Sequence, residues 1–294
     1  MKEEKQQPNI VVFGAEGMLG KDLIEMLSYE DNISYRGYSR SECDITDYND
    51  VYSAIGGAYN ITNVINCAAY TDVDGCEDNE DTAYAVNAKS LEHMAKICLE
   101  SEIHLTHIST DYVFQGNRVE PYLEQDKASP LSVYGKSKLS GEGHVRGMGD
   151  KGLVIRTSWL YGKHKKNFVD TALDKLELGV GVNAVGDQTG SPTYTMDLAN
   201  VIIQLAISFK SGIFHASNSG YCTWYEFIKR ACHLTDLNEH LIRRVSWKTL
   251  NLKAERPAFS VLSMNRLNRT LPEPVRSWED GLAQYLSEIK RIYE

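Results

Sequence analysis

The sequence predicts an α/β protein with a Rossmann-type, doubly wound parallel sheet and a smaller C-terminal α/β domain. In the first half, short apolar runs alternate with longer segments whose apolar residues recur at helical spacing, a pattern typical of a parallel sheet covered by helices on both faces. A Gly-x-x-Gly-x-x-Gly turn follows the first apolar run. After Tyr161 glycine and proline become denser, which predicts a change of architecture.

The individual elements follow from these patterns in chain order. Apolar, β-rich runs predict strands, and apolar residues at i, i+3 and i+4 predict helices. Strands are expected at 9–13, 33–38, 64–67, 103–108 and 153–157, and helices at 19–27, 47–55, 78–100, 131–145, 196–209, 223–234 and 278–293.

Composition excludes several classes of function. The 294 residues are 42% hydrophobic, enough for a sizeable core, and the formal net charge is −9. Because no block of basic residues offsets this charge, we expect neither nucleic acid nor an anionic membrane as a partner. Residues 1–8 lack the apolar segment of a signal peptide, and the six cysteines form no Cys-x-x-Cys pair. A cytoplasmic protein with reduced thiols is therefore expected.

The glycine turn predicts a dinucleotide site. Gly14, Gly17 and Gly20 stand between an apolar strand and a helical segment. Glycine allows a tight turn and close approach of a pyrophosphate, and the free N–H groups of the helix N-terminus favour its negative charge. A tight turn with no ligand is the alternative.

The end of the second strand favours one nicotinamide cofactor over the other. Ser39 and Arg40 stand where an acidic residue would bind the ribose hydroxyls of NAD. A guanidinium and a hydroxyl at this position suit a 2′-phosphate. We therefore predict NADPH, with NADH as the alternative if Arg40 is only a solvated surface charge.

A tyrosine and a lysine provide the predicted acid. Tyr134 and Lys138 are spaced i, i+4, so a helix places them on one face. A nearby ammonium lowers the pKa of a phenol toward the range useful for proton transfer. Thr110 ends the preceding strand, where ligands bind in a doubly wound sheet, and its hydroxyl can hydrogen-bond a substrate oxygen. The alternative for Thr110 is a turn or cap residue.

Together these residues resemble the extended short-chain dehydrogenase/reductase superfamily and, within it, the dTDP-4-dehydrorhamnose reductase family. The supporting strings run through almost the whole chain, and two of them, Arg-Thr-Ser-Trp and Asp-Gln-x-Gly-x-Pro-Thr, are fairly specific to that family. They are Ala68-Ala69-Tyr70-Thr71-Asp72-Val73-Asp74, Ser109-Thr110-Asp111-Tyr112-Val113-Phe114, Tyr134-Gly135-Lys136-Ser137-Lys138-Leu139, Arg156-Thr157-Ser158-Trp159-Leu160-Tyr161-Gly162, Asn167-Phe168, Asp187-Gln188-Thr189-Gly190-Ser191-Pro192-Thr193 and Arg256-Pro257.

The resemblance implies reduction of the C4 keto group of dTDP-4-dehydro-β-L-rhamnose by NADPH to dTDP-L-rhamnose. The change of pattern after Tyr161 predicts a dinucleotide-binding domain over 1–158 and a mainly substrate-binding domain over 159–294, parts of which could return to the first. The implied catalytic residues are Thr110, Tyr134 and Lys138. The implied cofactor-binding residues are Gly14, Glu16, Gly17, Met18, Leu19, Ser39, Arg40, Asp44, Ile45, Ala68, Ala69, Tyr70, Tyr134 and Lys138, and the implied substrate-binding residues are Thr110, Asp111, Trp159, Asn167 and Arg256.

The resemblance also bears on metal binding. Some members of the family bind magnesium at a dimer contact through glutamates, whereas the matching positions here hold Asp22 and Met196. Since methionine is not a Mg²⁺ ligand, we expect no metal and no metal-bridged dimer. The oligomeric state stays open between a monomer and a homodimer.

Three other functions remain as alternatives. A 4,6-dehydratase or an epimerase shares this fold, but Tyr112 stands where dehydratases carry the glutamate of Thr-Asp-Glu. A reductase of another nucleotide-linked 4-keto-6-deoxysugar would carry the same motifs. A non-catalytic, NADP-binding regulatory subunit, like that of methionine adenosyltransferase, could also retain the Tyr/Lys pair.

Overall fold

The computed structural model describes residues 7–57 and 60–290. Most of the polar segment 1–8, and the end of the helix predicted at 278–293, therefore lie outside the described residues. Within the described ranges, no helix is both long enough and apolar enough to cross a bilayer.

Strands and helices alternate through the first half of the chain, as the sequence predicts. The strands are β1 Asn9–Phe13, β2 Ser34–Tyr38, β3 Asn63–Asn66, β4 His104–Thr110, β5 Gly152–Thr157, β6 Leu160–Tyr161, β7 Val182–Val185, β8 Thr189–Gly190, β9 Thr193–Tyr194, β10 Gly212–His215, β11 Cys222–Thr223 and β12 Ile242–Val245. The helices are α1 Met18–Leu27, α2 Tyr48–Val51, α3 Val73–Asp78, α4 Glu80–Tyr84, α5 Ser90–Glu100, α6 Val133–Arg146, α7 Phe168–Glu177, α8 Thr195–Ile207, α9 Trp224–Leu234, α10 Asn265–Asn268 and α11 Trp278–Glu288.

Six strands form one parallel sheet, in the order β10-β5-β4-β3-β1-β2. This sheet confirms the predicted doubly wound α/β class. The strand order reverses at β1, so a crevice opens at the carboxyl ends of β1 and β3, where ligands bind in open sheets of this kind.

Both faces of the sheet are buried. In β1, Ile10 and Val12 face one hydrophobic layer, which contains the apolar residues of α1 and α8. Val11 and Phe13 face the other layer, which contains apolar residues of α5 and of the segment around α2. Because every second side chain points to the opposite face, a strand covered on both sides needs a continuous apolar run.

The second half of the chain contributes to two cores. One apolar cluster contains side chains of α7, α9 and α11 together with strands β7 and β12, which pair in parallel. By contrast, β10 extends the main sheet next to β5, and α8 packs against α1. The boundary predicted between residues 158 and 159 therefore describes only part of this arrangement, and it stays a prediction.

The prediction of one continuous helix at 78–100 is wrong, because two interruptions divide this segment. The preceding helix α3 ends at Asp78, and Asn79 leaves helical geometry with φ −132° and ψ 53°. The Asn79 side chain donates to the carbonyl of Gly75 (2.9 Å) and so closes α3. A π-helical turn, Ala85–Lys89, then separates α4 from α5. Local side-chain bonding, which apolar periodicity does not show, determines the break at Asn79.

A buried ion pair joins α6 to the sheet. The Arg156 Nη2 and Nε atoms donate to the two oxygens of Glu142 at 2.7 and 2.9 Å, and the side chains are only 2% and 0% exposed. The Ser109 hydroxyl donates to the same carboxylate at 2.6 Å. Helix α6 is therefore fixed to β4 and β5 by charged hydrogen bonds away from water.

We expect Glu142→Ala to lower the free energy of unfolding by about 3–5 kcal/mol, because it leaves a buried guanidinium without its partner. Urea unfolding followed by circular dichroism measures this change. Lys166→Ala is the control, since the Lys166–Asp174 pair is largely exposed, and it should cost less than about 1 kcal/mol. Equal effects of the two substitutions would contradict the role given to Glu142.

Candidate active site

The turns that follow β1 to β5 all lie at one edge of the sheet, because parallel strands end at the same edge. They bring together most of the residues that the sequence singles out. The first turn carries Gly14–Leu19, the second Ser39–Ile45, the third Ala68–Tyr70, the fourth Thr110 and Asp111, and the fifth Trp159.

The backbone of the glycine turn leaves room for a neighbouring group to approach closely. Gly14 has φ +77°, and a Cβ atom there would lie 2.7 Å from the backbone nitrogen of Ala68. The N–H groups of Gly14 and Ala15 both donate to the carbonyl of Tyr38 (3.1 Å), which fixes the turn. Gly17 is the N-cap of α1 and makes no side-chain cap, and the first helical turn holds no acidic residue. Free N–H groups at a helix N-terminus fit a diphosphate.

The predicted cofactor side chains around this turn differ in their surroundings. Glu16 is exposed and pairs with Lys21 (2.9 Å), whereas Leu19 is buried in the core. Met18 is the first residue of α1 and is half-buried.

The turn after β2 contains an acidic residue, Glu42, that the sequence pattern does not single out. The backbone nitrogen and hydroxyl of Ser39 both donate to the Glu42 carboxylate, at 2.8 and 2.6 Å. Arg40 is exposed beside them. Asp44 accepts from the Thr46 hydroxyl (2.7 Å), and Ile45 is buried.

Asn87 shapes the turn after β3. The Asn87 side chain accepts from the nitrogen of Tyr70 (2.9 Å) and donates to its carbonyl (3.1 Å) and to the Ser137 hydroxyl (3.0 Å). Asn87 lies in the π-helical turn. This turn therefore serves to hold the segment 68–70 against α6.

Tyr134, Thr110 and Asp111 form one cluster. Tyr134 lies in the first turn of α6, which Ser132 caps, and its hydroxyl shares a hydrogen bond with that of Thr110. The Thr110 hydroxyl donates to Asp111 (3.1 Å) and accepts from the nitrogen of Tyr112 (3.2 Å). The structure thus brings together three residues that the sequence predicts to contact the sugar or its carbonyl; their roles stay predictions.

The pKa values of this cluster follow from its burial. Burial raises the pKa of Tyr134 well above its ordinary value, while the Thr110 hydrogen bond lowers it by a smaller amount. Burial raises the pKa of Asp111 to about 7, against hydrogen bonds from Ser260 and Thr110 that lower it. At neutral pH, Tyr134 is therefore a phenol that carries its proton.

The side chain of Lys138 makes its polar contacts with strand β4. The Lys138 Nζ atom lies 2.6 Å from the carbonyl of Ile108 and 3.0 Å from Nε2 of His107, and the side chain is 1% exposed. Burial lowers the pKa of Lys138 to about 7, while Glu142 and Cys67 raise it by smaller amounts. Both of these contacts are to β4, and the pKa of Tyr134 is governed by burial rather than by the lysine charge.

Trp159 lies in an aromatic stack. Its ring is parallel to that of Trp224, with centroids 3.7 Å apart and an 8° interplanar angle. Phe168 packs edge-on against Trp224. A Cβ atom on Gly190 would lie 2.5 Å from the Trp159 ring, so only glycine leaves room there. Trp159 itself has φ +47°, which is rare for a bulky residue and typical of functional positions.

The other two predicted substrate contacts have partners within the protein. Asn167 caps α7 and also donates to Gly162 and to the Tyr285 hydroxyl. Arg256 forms a bidentate pair with Asp74, at 2.9 and 3.1 Å, and also hydrogen-bonds Tyr112. Both residues hold the site together in this state, and their contact with substrate stays a prediction.

An acidic cluster lies at the buried Asp22. The ligand atoms of Asp22, Glu25 and His164 lie within 4.8 Å of one another. However, Lys163 Nζ is 2.9 Å from Glu25 and already supplies positive charge, and Met196 packs against a hydrophobic cluster. This mixture of ammonium, imidazole and carboxylate does not fit the all-oxygen shell that Mg²⁺ requires. The absence of a metal stays a prediction.

Sequence reasoning missed two neighbours of the site: His107 contacts Lys138, and Trp224 covers Trp159. Tyr112, which the sequence singles out, lies edge-on to Tyr134 with ring centroids 5.9 Å apart. A signal existed for His107, because a histidine inside a buried strand needs polar partners. The position of Trp224, 65 residues beyond Trp159, has no local signature.

We expect Asp111→Asn to stabilise the folded state more at pH 8 than at pH 5. The pKa of Asp111 lies at about 7, above its ordinary value of 3.8, so stability falls as the pH rises from about 4 to about 7, because the unfolded chain has released a proton that the folded chain still holds. The difference in free energy of unfolding between variant and wild type should grow by about 1–3 kcal/mol between these pH values. Urea titrations at both values measure it, and a pH-independent difference would contradict the assignment.

The comparisons with known proteins point to one family. The model of the RmlD substrate binding domain matches residues 8–291. The spore coat polysaccharide biosynthesis protein SpsK of Bacillus subtilis is 39% identical and aligns with 95% of this chain and 97% of its own. The dTDP-4-keto-6-deoxy-D-glucose reductase of Streptomyces niveus is 35% identical, over 93% and 95%.

A solved structure agrees in fold and sequence. The dTDP-4-dehydrorhamnose reductase of Bacillus anthracis, in complex with NADP, superimposes with a TM-score of 0.91 and 35% identity, over 96% of this chain and 99% of that one. The family predicted from the motifs is thereby confirmed. The chain belongs to the dTDP-4-dehydrorhamnose reductase family.

Proposed function

We propose that this protein reduces the C4 keto group of dTDP-4-dehydro-β-L-rhamnose with NADPH to give dTDP-L-rhamnose. The observation that carries the proposal is the cluster of Tyr134, Thr110 and Asp111 at the carboxyl end of β4, beside the glycine turn. A proton donor next to a dinucleotide crevice is what carbonyl reduction requires.

Tyr134 is the proposed proton donor. Burial raises its pKa, so the phenol keeps its proton at neutral pH until a stronger base forms beside it. The oxygen of a carbonyl under reduction becomes such a base, because negative charge grows on it in the transition state. The single hydroxyl proton of Thr110 goes to Asp111 in this structure, so Thr110 would turn that proton from Asp111 to donate a second hydrogen bond to the same oxygen.

Residues of the first sheet edge would hold the cofactor. The uncapped N-terminus of α1 fits its diphosphate, and the exposed Arg40 can pair with a 2′-phosphate. Lys138 has a further N–H group besides the one that donates to Ile108, and this group can bind the nicotinamide ribose. When bound, NADPH supplies the hydride.

A second candidate is the reduction of another dTDP-linked 4-keto-6-deoxysugar. The Streptomyces niveus relative, whose name gives dTDP-4-keto-6-deoxy-D-glucose, is 35% identical, as is the Bacillus anthracis reductase. Both substrates share the nucleotide and the C4 carbonyl, so the Tyr134 cluster serves either. A regulatory subunit without turnover is the remaining alternative.

For the remaining properties we propose a cytoplasmic enzyme that acts as a monomer or a homodimer, without nucleic acid or membrane. The net charge of −9 supports the last two points. A sugar nucleotide is itself anionic, so the local groups described above must bind it.

We expect the protein alone to oxidise NADPH when given dTDP-4-dehydro-β-L-rhamnose, and to form dTDP-L-rhamnose. Tyr134→Phe should lose at least about 100-fold in kcat, the size typical of general acid catalysis, while NADPH binding stays within threefold. Absorbance at the NADPH band gives the rate, fluorescence titration gives binding, and chromatography with NMR identifies the sugar.

Controls separate the alternatives. Tyr35→Phe changes an exposed tyrosine on β2 and should leave kcat unchanged. Faster turnover of dTDP-4-keto-6-deoxy-D-glucose than of the rhamnose precursor would favour the second candidate. Absence of turnover with either sugar would reject a reductase, and a fully active Tyr134→Phe would reject the proton donor.

We expect Arg40→Ala to raise the KM for NADPH by about 10–100-fold, because charged hydrogen bonds contribute about 1.5–3 kcal/mol. The KM for NADH should change by less than about threefold. Arg36→Ala is the control, since Arg36 is exposed and lies over the Tyr38 ring. Wild-type efficiency that is equal for both cofactors, and unchanged in Arg40→Ala, would contradict the NADPH assignment.

A further inference from the structure

A cavity of about 670 Å³ lies beside the start of β10. It is bounded by residues 123–125, the end of α6 and helix α10. Gly212 and Ile213, the first two residues of β10, line it, and they pair in parallel with the start of β5. Because the strands of a parallel sheet all begin at one edge and end at the other, the cavity lies away from the turns that follow β1 to β5.

Helix α6 separates the cavity from the Tyr134 cluster. Tyr134 is the second residue of this helix, and Arg146, which lines the cavity, is the last. A rise of about 1.5 Å per residue places these two positions roughly 18 Å apart. A small molecule bound beside Arg146 therefore lies well away from the groups that the proposed reduction uses.

Positive charge is concentrated in this cavity. Arg146, Arg266 and Arg269 line it together with one carboxylate, that of Glu124. Three guanidinium groups thus face one carboxylate, in a chain whose formal net charge is −9. A local excess of positive charge in a concave site on an acidic protein attracts anions to that one place.

Two of the three arginines have no acidic partner. Within residues 7–57 and 60–290, neither Arg146 nor Arg269 lies within 4.0 Å of a carboxylate oxygen, and both are exposed. A cation in the last turn of α6 also offsets the partial negative charge of the helix end, which is a structural reason for Arg146. That reason does not extend to Arg269, which follows the four-residue helix α10.

The third arginine is fixed in place. The Nη1 and Nη2 atoms of Arg266 donate to the carbonyls of Ile213 (2.6 Å) and Ser211 (3.3 Å). Its guanidinium carbon also lies 4.1 Å from the centroid of the Phe214 ring. A guanidinium has five N–H groups, so further donors remain after these two bonds. A charged donor that is already held in position loses little conformational freedom when an anion binds.

We propose that this cavity binds a small molecule that carries a diphosphate or triphosphate group, at a site separate from the candidate active site. Guanidinium groups pair with phosphate oxygens through parallel hydrogen bonds, and three of them match a multiply charged group better than a single charge. The side chains of Gln125 and Asn265 add neutral donors to the lining. The volume of about 670 Å³ lies within the range of about 300–1,000 Å³ that is typical of small-molecule sites.

Isothermal titration calorimetry with inorganic pyrophosphate tests the site. The titration is made at low salt, since salt screens exposed charges, and with saturating NADP⁺, so that the glycine turn is already occupied. We expect Arg146→Gln and Arg269→Gln each to weaken pyrophosphate binding by at least about tenfold, because each removes charged hydrogen bonds, and the double variant to weaken it further. Orthophosphate should bind the wild type at least about tenfold more weakly than pyrophosphate.

Arg243→Gln is the matched control, because Arg243 is an exposed arginine on β12 that does not line the cavity. It should leave the Kd for pyrophosphate within about twofold of the wild-type value. Circular dichroism checks that the variants fold, as expected for substitutions of exposed side chains. Arg266 is left unchanged, since its bonds to Ser211 and Ile213 support the edge of the sheet.

Three results would overturn the proposal. The first is no binding of pyrophosphate up to about 10 mM, which is weaker than most specific sites. The second is the same Kd in the folded double variant as in the wild type. The third is equal affinity for orthophosphate, which would show an adventitious ion only. The titration needs no turnover, so its outcome is independent of whether the protein reduces a dTDP-sugar.

Discussion

The alignment of α6 against β4 and β5 is the constraint on which the site depends. Tyr134, Lys138 and Glu142 recur every four residues on α6 and so lie along one face of it. Two of them bond to the sheet through buried charged or polar contacts: Lys138 to the carbonyl of Ile108, and Glu142 to Ser109 and Arg156. Once these two are fixed, the third is placed beside the end of β4. The position of Tyr134 is thus set by bonds that it does not itself make.

The burial of ionisable groups beside α6 lowers the stability of the fold and shifts the pKa values of these groups. Burying Lys138 and Asp111 moves the pKa of each toward neutrality, which means that each loses solvation in its charged form. The same burial keeps the proton on Tyr134. Perturbed groups of this kind cluster at functional sites because they are retained for chemistry rather than for folding. The paired Glu142 and Arg156 offset part of the cost by satisfying each other.

The elements that depend on local pattern could be predicted from the sequence. The apolar run of β1, Asn9–Phe13, coincides with the strand that the structure shows, and the glycine turn and the Tyr134/Lys138 spacing lie where the pattern puts them. The break at Asn79 could not be predicted, because it depends on one side-chain bond to Gly75 and not on hydrophobicity.

Contacts between distant parts of the chain could not be predicted from the sequence either. Arg256 reaches Asp74 across 182 positions, and Trp224 covers Trp159. No periodicity relates residues so far apart. The lysine was found by its spacing from Tyr134, but its hydrogen-bond partners depend on how deeply α6 sits on β4. Sequence therefore identifies the reactive groups here more readily than their protonation states.

The protonation state of Tyr134 in turn determines which step it can assist at neutral pH. A phenol in the neighbourhood of a charged lysine ionises easily and would suit a base that removes a proton from an alcohol. Here Tyr134 is partly buried, its raised pKa keeps the proton, and Lys138 bonds to His107 and Ile108. A donor of this kind releases its proton only to an oxygen that is becoming an alkoxide. At neutral pH the phenol form of Tyr134 suits proton donation to a carbonyl under reduction, and the reverse reaction would use the same residue in its ionised form.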